Sequence, residues 1–322
     1  MVRLRFALFA LLCGLALTGC VALPMRQIPP APRPLPFMSP LPTPAPFRSL
    51  LPRATVTRLF LPLLLSDFGM DARPVSSKKG ISLACGYEDM ARMAREVVTL
   101  RVTWLWNWGV SPPVFPGVES IPNLWDASFI GQPLGGNSQW LLGFNEPDGR
   151  DQANMTPEVA AVAWRQIEQT YPDRKLTSPQ VLHPGNWLEQ WYAAYVARYG
   201  QPPRIDALAI HTYYGNSAEA YIARTQEFVA LARAWGVPEV WVTEWTLAPG
   251  LNRSQNDTAD EMCTFVTWLE QEPMVTRYAP FTNRVECMAG APYFQFDGPF
   301  DAPMFALDGR LTPLGRTYRD LP

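Results

Sequence analysis

Apolar residues recur along this chain in two patterns that take turns. Short runs without helical spacing, of which Trp140–Phe144 (WLLGF) is the clearest, read as strands buried on both faces. Between them lie longer stretches whose apolar positions repeat every three to four residues, the mark of helices laid against a core. Strands are expected at 79–84, 98–108, 121–125, 140–146, 175–182, 205–214, 239–246 and 275–281. Helices are expected at 88–97, 156–171, 186–199, 217–235 and 257–270. Alternation of this kind builds a parallel sheet with helices on its faces. Eight such strands in roughly 250 residues fit an α/β fold, a (β/α)8 TIM barrel forming a single domain over 73–322.

Polarity then jumps at the ends of particular strands. Asn145, Glu146, Pro147 and Asp148 follow the Trp140 run, and Pro147 cannot extend a central strand, so Glu146 sits where the strand stops. The seventh strand (EVWVTEWT) also ends in a carboxylate, Glu244. The sixth delivers His211 and Tyr213 to one side by period-two alternation. Along the second, Thr103, Leu105 and Asn107 point one way and Trp104, Trp106 and Trp108 the other; Asn107 and Trp108 come last and are best placed for a ligand. Glu146 and Glu244 stand 98 residues apart, about three strand–helix units of an eightfold barrel. Two carboxylates on one rim, without a nucleotide-binding glycine pattern, are what a glycosidase needs: one acid held protonated and one ionised.

The first 72 residues have no such pattern. Arg3 and Arg5 precede an apolar run, Phe6–Leu17, too short to span a bilayer, and LTGC closes it. This end resembles a bacterial lipoprotein signal over 1–20, with Cys20 as the lipid attachment site; the mature chain is then expected outside the cytoplasm, held to a membrane by its lipid. Residues 21–72 are rich in proline and read as an extended tether, with an apolar patch at 59–65 that has no assigned role. Composition narrows partners: a net charge of -2 leaves no electrostatic footprint for nucleic acid. Twelve Trp and eleven Tyr suit sugar faces as well as cores. With two histidines, His183 and His211, and no Cys/His spacing, no metal or other cofactor is expected. Cys85, Cys263 and Cys287 remain in the domain, and proximity in sequence favours a Cys263–Cys287 disulfide.

The motifs GFNEPD (Gly143–Asp148) and VTEW (Val242–Trp245) resemble clan A glycoside hydrolases. With Ser178-Pro179, Trp187, the Ala209–Tyr213 strand and the RLTPLGRTY ending, the chain is most similar to glycoside hydrolase family 128, endo-β-1,3-glucanases. The resemblance implies Glu146 as acid/base and Glu244 as nucleophile of a retaining double displacement. Asn145 would then bond the sugar 2-hydroxyl, Tyr213 orient Glu244, and His211 line the same subsite. Trp108, Trp125, Trp187 and Trp245 are candidate sugar platforms. At strand eight an aromatic is expected where Pro280 stands, and the loop 282–290 departs from the family. A clan A enzyme acting on another β-glycan, mannan or xylan, and a carbohydrate-binding surface lipoprotein without turnover stay open as alternatives. The expected partner is a β-glucan, and the chain is expected to be monomeric.

Overall fold

In the computed structural model the described residues are 75–182, 186–213, 217–246, 255–288 and 303–322. The expected signal, Cys20, the tether, the 59–65 patch and His183 lie outside them. The described residues hold eight short strands: β1 (Gly80–Ser82), β2 (Trp104–Trp106), β3 (Glu119–Ile121), β4 (Trp140–Leu141), β5 (Lys175–Leu176), β6 (Ala207–Thr212), β7 (Glu239–Trp245) and β8 (Val275–Tyr278). All pairings between them are parallel, in small sheets β1-β2-β3, β4-β5 and β6-β7-β8. Single parallel bridges link one sheet to the next: Asn123 with Leu142, Thr177 with Ala207, and Lys79 with Tyr278. The fold is therefore α/β, with strand neighbours following chain order.

The helices among the described residues are α1 (Met90–Leu100), α2 (Pro157–Thr170), α3 (Asn186–Tyr199), α4 (Ala218–Trp235), α5 (Gln255–Gln271) and α6 (Pro313–Asp320). Local chemistry starts them. Thr156 caps α2 by accepting from Val159 N, with Pro157 in the first turn, and Ser217 caps α4 by accepting from Ala220 N. Most strands are shorter than the sequence reading expects, β4 and β5 most of all, and two elements also shift along the chain. Val98–Leu100 belong to α1 and not to the second strand, because Met93, Glu96, Val97 and Leu100 form one buried helical face. The third strand begins earlier, at Glu119, in register with Trp104.

Apolar residues fall into two clusters. The larger lies between strands and helices and includes Leu105, Phe144, Trp164, Trp191, Val242, Phe265 and Tyr318. The smaller joins Trp104, Trp106, Ile121, Trp140, Leu142, Ala207, Trp241 and Ala279, so side chains from six strand segments meet on their inner side. This settles the alternation along β2: the tryptophans point inward and Leu105 outward. Strands β4 and β5 approach closely at Gly143, where a Cβ would stand 2.5 Å from the Ser178 carbonyl oxygen.

The expected Cys263–Cys287 pair is corrected. Cys85 bonds Cys287, with Cα atoms 5.5 Å apart, and Cys263 is a free thiol on α5. Cys85 follows β1 and Cys287 follows β8, and these strands are neighbours through the Lys79–Tyr278 bridge. A separation of 202 residues along the chain thus becomes contact in space.

Candidate active site

Glu146 follows β4 in the left-handed region, φ 44°, just before Pro147. Such a conformation costs a non-glycine residue about 1–3 kcal/mol, and it is found where surrounding structure over-determines a functional side chain. Here the Glu146 backbone N–H is tied to Gln180 O at 2.8 Å. Glu244 lies within β7, one position before its end. The two carboxylates are 5 % and 3 % exposed, and His211 between them is fully buried. His211 Nδ1 stands 2.6 Å from Glu146 Oε1 and 3.6 Å from Glu244 Oε2. The two carboxylates and the imidazole each offer an atom within 4.8 Å of the others.

Donors cover both oxygens of Glu244. The Tyr213 hydroxyl donates to Oε2 and the Trp108 indole N–H to Oε1, the latter at 2.8 Å. The two carboxylates are thus linked through hydrogen-bonding groups, Glu244 to Tyr213 and Trp108 and Glu146 to His211. Burial pushes the Glu244 carboxyl up to about 7, and the Glu146 charge adds to this; His211, Tyr213 and Trp108 work against the rise. Burial also lowers His211, against the charges of Glu244 and Asp148, and so favours the neutral imidazole. A neutral ring donates to ionised Glu146 or accepts from its protonated form, according to its tautomer. Burial, then the charge of Glu244, holds the Tyr213 hydroxyl protonated as a donor.

The family described as "Glycosyl hydrolase catalytic core" matches residues 84–318. The chain belongs to this family. Among solved structures, a family 128 subgroup II endo-β-1,3-glucanase from Pseudomonas viridiflava is 27% identical, with TM-score 0.59, covering 77% of this chain and 99% of its own. A subgroup III curdlan-specific exo-β-1,3-glucanase from Blastomyces gilchristii, in complex with glucose, is 23% identical, with TM-score 0.58, 77% of this chain and all of the other being covered. A subgroup I endo-β-1,3-glucanase from Amycolatopsis mediterranei, a variant in complex with laminaripentaose, is 22% identical, with TM-score 0.61 and the same coverage. No sequence among curated proteins matches.

In this glycosyl hydrolase catalytic core the remaining candidates divide. Asn145 is buried beside Glu146; its Nδ2 donates to Gln152 at 3.3 Å and its Oδ1 has no hydrogen-bond partner among the described residues. Trp125 is half-buried at the same rim, its carbonyl accepting from Asn145 N. Asn107 donates to the Tyr87 hydroxyl at 2.9 Å, one position before Trp108. Trp187 is half-buried, packs against the larger core and donates to Met155 O. Trp245 as a sugar platform is corrected: it is fully buried, packed on Phe265 of α5 and Tyr318 of α6, because it follows Glu244 and alternation turns it outward.

The expected gap at Pro280 is also filled. Phe281, one residue later, sets its ring edge-on to Trp108 and Tyr213, with centroids 5.6 and 6.2 Å away. Sequence reading missed it by one position, although its place at the end of the eighth strand was the signal. It also missed Trp106, whose indole donates to Thr243 O at 3.1 Å beneath Glu244. The described part of the unusual loop is fastened inward. Thr282 donates to Ser82 O, Asn283 to Cys85 O, and buried Arg284 pairs with buried Glu96 at 2.6 Å.

Proposed function

We propose that this chain is a retaining β-1,3-glucan hydrolase, and that its eight parallel strands form one (β/α)8 barrel with the acid pair at the mouth. The observation that carries the mechanism is the approach of Glu146 and Glu244 to within 4.8 Å through their facing oxygens. Retaining enzymes hold their carboxyl groups about 5–5.5 Å apart, whereas inverting ones leave about 6.5–9.5 Å for a water. The substrate class is supported by the family 128 relatives, which are endo- and exo-β-1,3-glucanases, one with laminaripentaose bound.

In the first half-reaction a Glu244 oxygen bonds the anomeric carbon as the glycosidic C–O bond breaks, and the departing oxygen takes the proton of Glu146. In the second, Glu146 takes a proton from water, the water oxygen bonds the anomeric carbon, and the electron pair of the ester bond returns to Glu244. His211, against Glu146, accommodates both of its protonation states. Asn145 Oδ1, buried and without a partner among the described residues, is suited to a sugar hydroxyl, which would satisfy it.

We propose further that the chain acts as a monomer held outside the cytoplasm by lipid on Cys20 through the proline-rich tether. The Arg3–Cys20 pattern supports this, as does the Cys85–Cys287 disulfide, a bond that persists in oxidising compartments.

Product analysis on laminarin, mixed-linkage glucan, mannan and xylan tests the reading. Laminari-oligosaccharides released first as the β-anomer are expected, with about a thousandfold or greater loss in Glu244→Gln. The α-anomer as first product would refute retention, and products from mannan or xylan alone would refute the substrate.

A further inference from the structure

Two tryptophans two residues apart on one side of the chain reach across to consecutive residues of β7. Trp106 Nε1 donates to the Thr243 carbonyl at 3.1 Å, and Trp108 Nε1 to the Glu244 carboxylate at 2.8 Å. The Trp108 ring packs between Trp106, centroids 5.3 Å apart, and the edge-on Phe281. Neighbouring rings therefore set the plane of the indole, and its one polar atom is spent on Glu244.

Taking Glu244 as the nucleophile of the proposed mechanism, we propose that Trp108 is a positioning residue for the leaving-group half of the reaction. Its N–H holds Oε1 in place and stabilises the carboxylate as the glycosyl-enzyme breaks down.

The charges around Glu244 make such a neutral donor matter. Among the described residues the titratable groups facing it are Glu146 after β4, and His211 and Tyr213 at the end of β6, while Asp148 acts on His211. None of these is a lysine or arginine. Negative charge on Glu244 is met by two neutral donors, the Tyr213 hydroxyl on Oε2 and the Trp108 indole on Oε1. As the ester to the sugar forms, Glu244 loses its charge and the indole bond weakens. As water displaces it, the C–O electron pair returns to the carboxylate and the charge reappears under the N–H. A carboxylate deprived of this donor is more basic, hence a better nucleophile once ionised and a poorer leaving group. Loss of the indole N–H should slow the second half-reaction more than the first.

The test compares the full chain with Trp108→Phe and with the chain in which benzothiophene replaces the indole at position 108. The isostere keeps the ring's volume and its packing on Phe281, so it reports on the N–H even where Trp108→Phe fails to fold. The probes are laminarin and a dinitrophenyl β-laminaribioside, whose leaving group needs no acid. The expected result is a fall in kcat of about tenfold or more, a KM unchanged or lowered, a burst of dinitrophenolate before the steady state, and an acid limb moved to higher pH. A rise in KM with kcat and the pH profile unchanged would make Trp108 a platform and overturn the proposal. Glu244→Gln separates the two layers. If it turns over laminarin normally, the nucleophile reading falls and takes this role with it; if it is inactive while the isostere matches the parent, only the role of Trp108 falls.

Discussion

His211 Nδ1 lies 2.6 Å from Glu146 Oε1 and 3.6 Å from Glu244 Oε2, so a single buried imidazole touches both carboxylates. Without a neutral ring between them, two acids this close would contend directly for one proton. Its replacement should therefore disturb the pair more than it disturbs the fold. His211→Ala is expected to lower kcat about a hundredfold with KM little changed, read from steady-state kinetics on laminarin.

Ionisation of Glu244 should set the acid side of the pH profile. Because burial raises this carboxyl to about 7, kcat/KM should fall as pH drops through about 7, well above the ordinary glutamate value of 4.5. Tyr213 lowers the Glu244 pKa by donating to it, so Tyr213→Phe should move the limb further up. A limb left near 4.5 in the parent chain would contradict the buried environment seen here.

The same shift costs stability. A carboxyl whose folded pKa lies above its unfolded value contributes fully below the unfolded value, and the contribution is lost as pH rises through the folded one. For Glu244 that window runs from 4.5 to about 7. Glu244→Gln should therefore stabilise the fold by about 1–3 kcal/mol above pH 7, with the gain vanishing near pH 4.5. Thermal unfolding of parent and variant across this range reads the difference directly.

Glu146 should show its dual role through the leaving group. Glu146→Ala is expected to lose about 100- to 10,000-fold on laminarin, where a poor leaving oxygen needs a proton. On a dinitrophenyl glycoside, formation of the glycosyl-enzyme should be nearly normal and its breakdown slow. Equal losses on both substrates would remove Glu146 from the acid role.

The loop after β8 is held by covalent and ionic bonds that can be cut separately. Cys287→Ser should cost about 2–5 kcal/mol in denaturant unfolding, since the bridge closes a loop of 202 residues, while Cys263→Ser should cost almost nothing. Glu96→Gln removes the buried anion of Arg284 and leaves the half-buried Glu286, 3.0 Å away, as its carboxylate partner, so it should cost about 1–3 kcal/mol.

The amino-acid sequence by itself determined the order of strands and helices and the placing of Glu146, His211 and Glu244 at strand ends. Those features are written in local period and in abrupt changes of polarity, as at Phe144 to Asn145. It also carried the family motifs, because NEP and TEW are contiguous in the chain. Tertiary structure decided what depends on residues far apart meeting in space. Cys85 finds Cys287 because β1 and β8 are neighbours, a relation no spacing within 263–287 encodes. Trp108 and Trp245, alike as exposed-looking aromatics at strand ends, part company for the same reason. One turns inward to donate to Glu244 and the other outward to pack on Phe265. Phe281 supplies the aromatic expected at Pro280 because the chain beyond β8 turns its ring toward Trp108 and Tyr213. Which side of a strand faces the site is a single bit per residue, and it is set by where neighbouring strands lie, not by the residue's own chemistry.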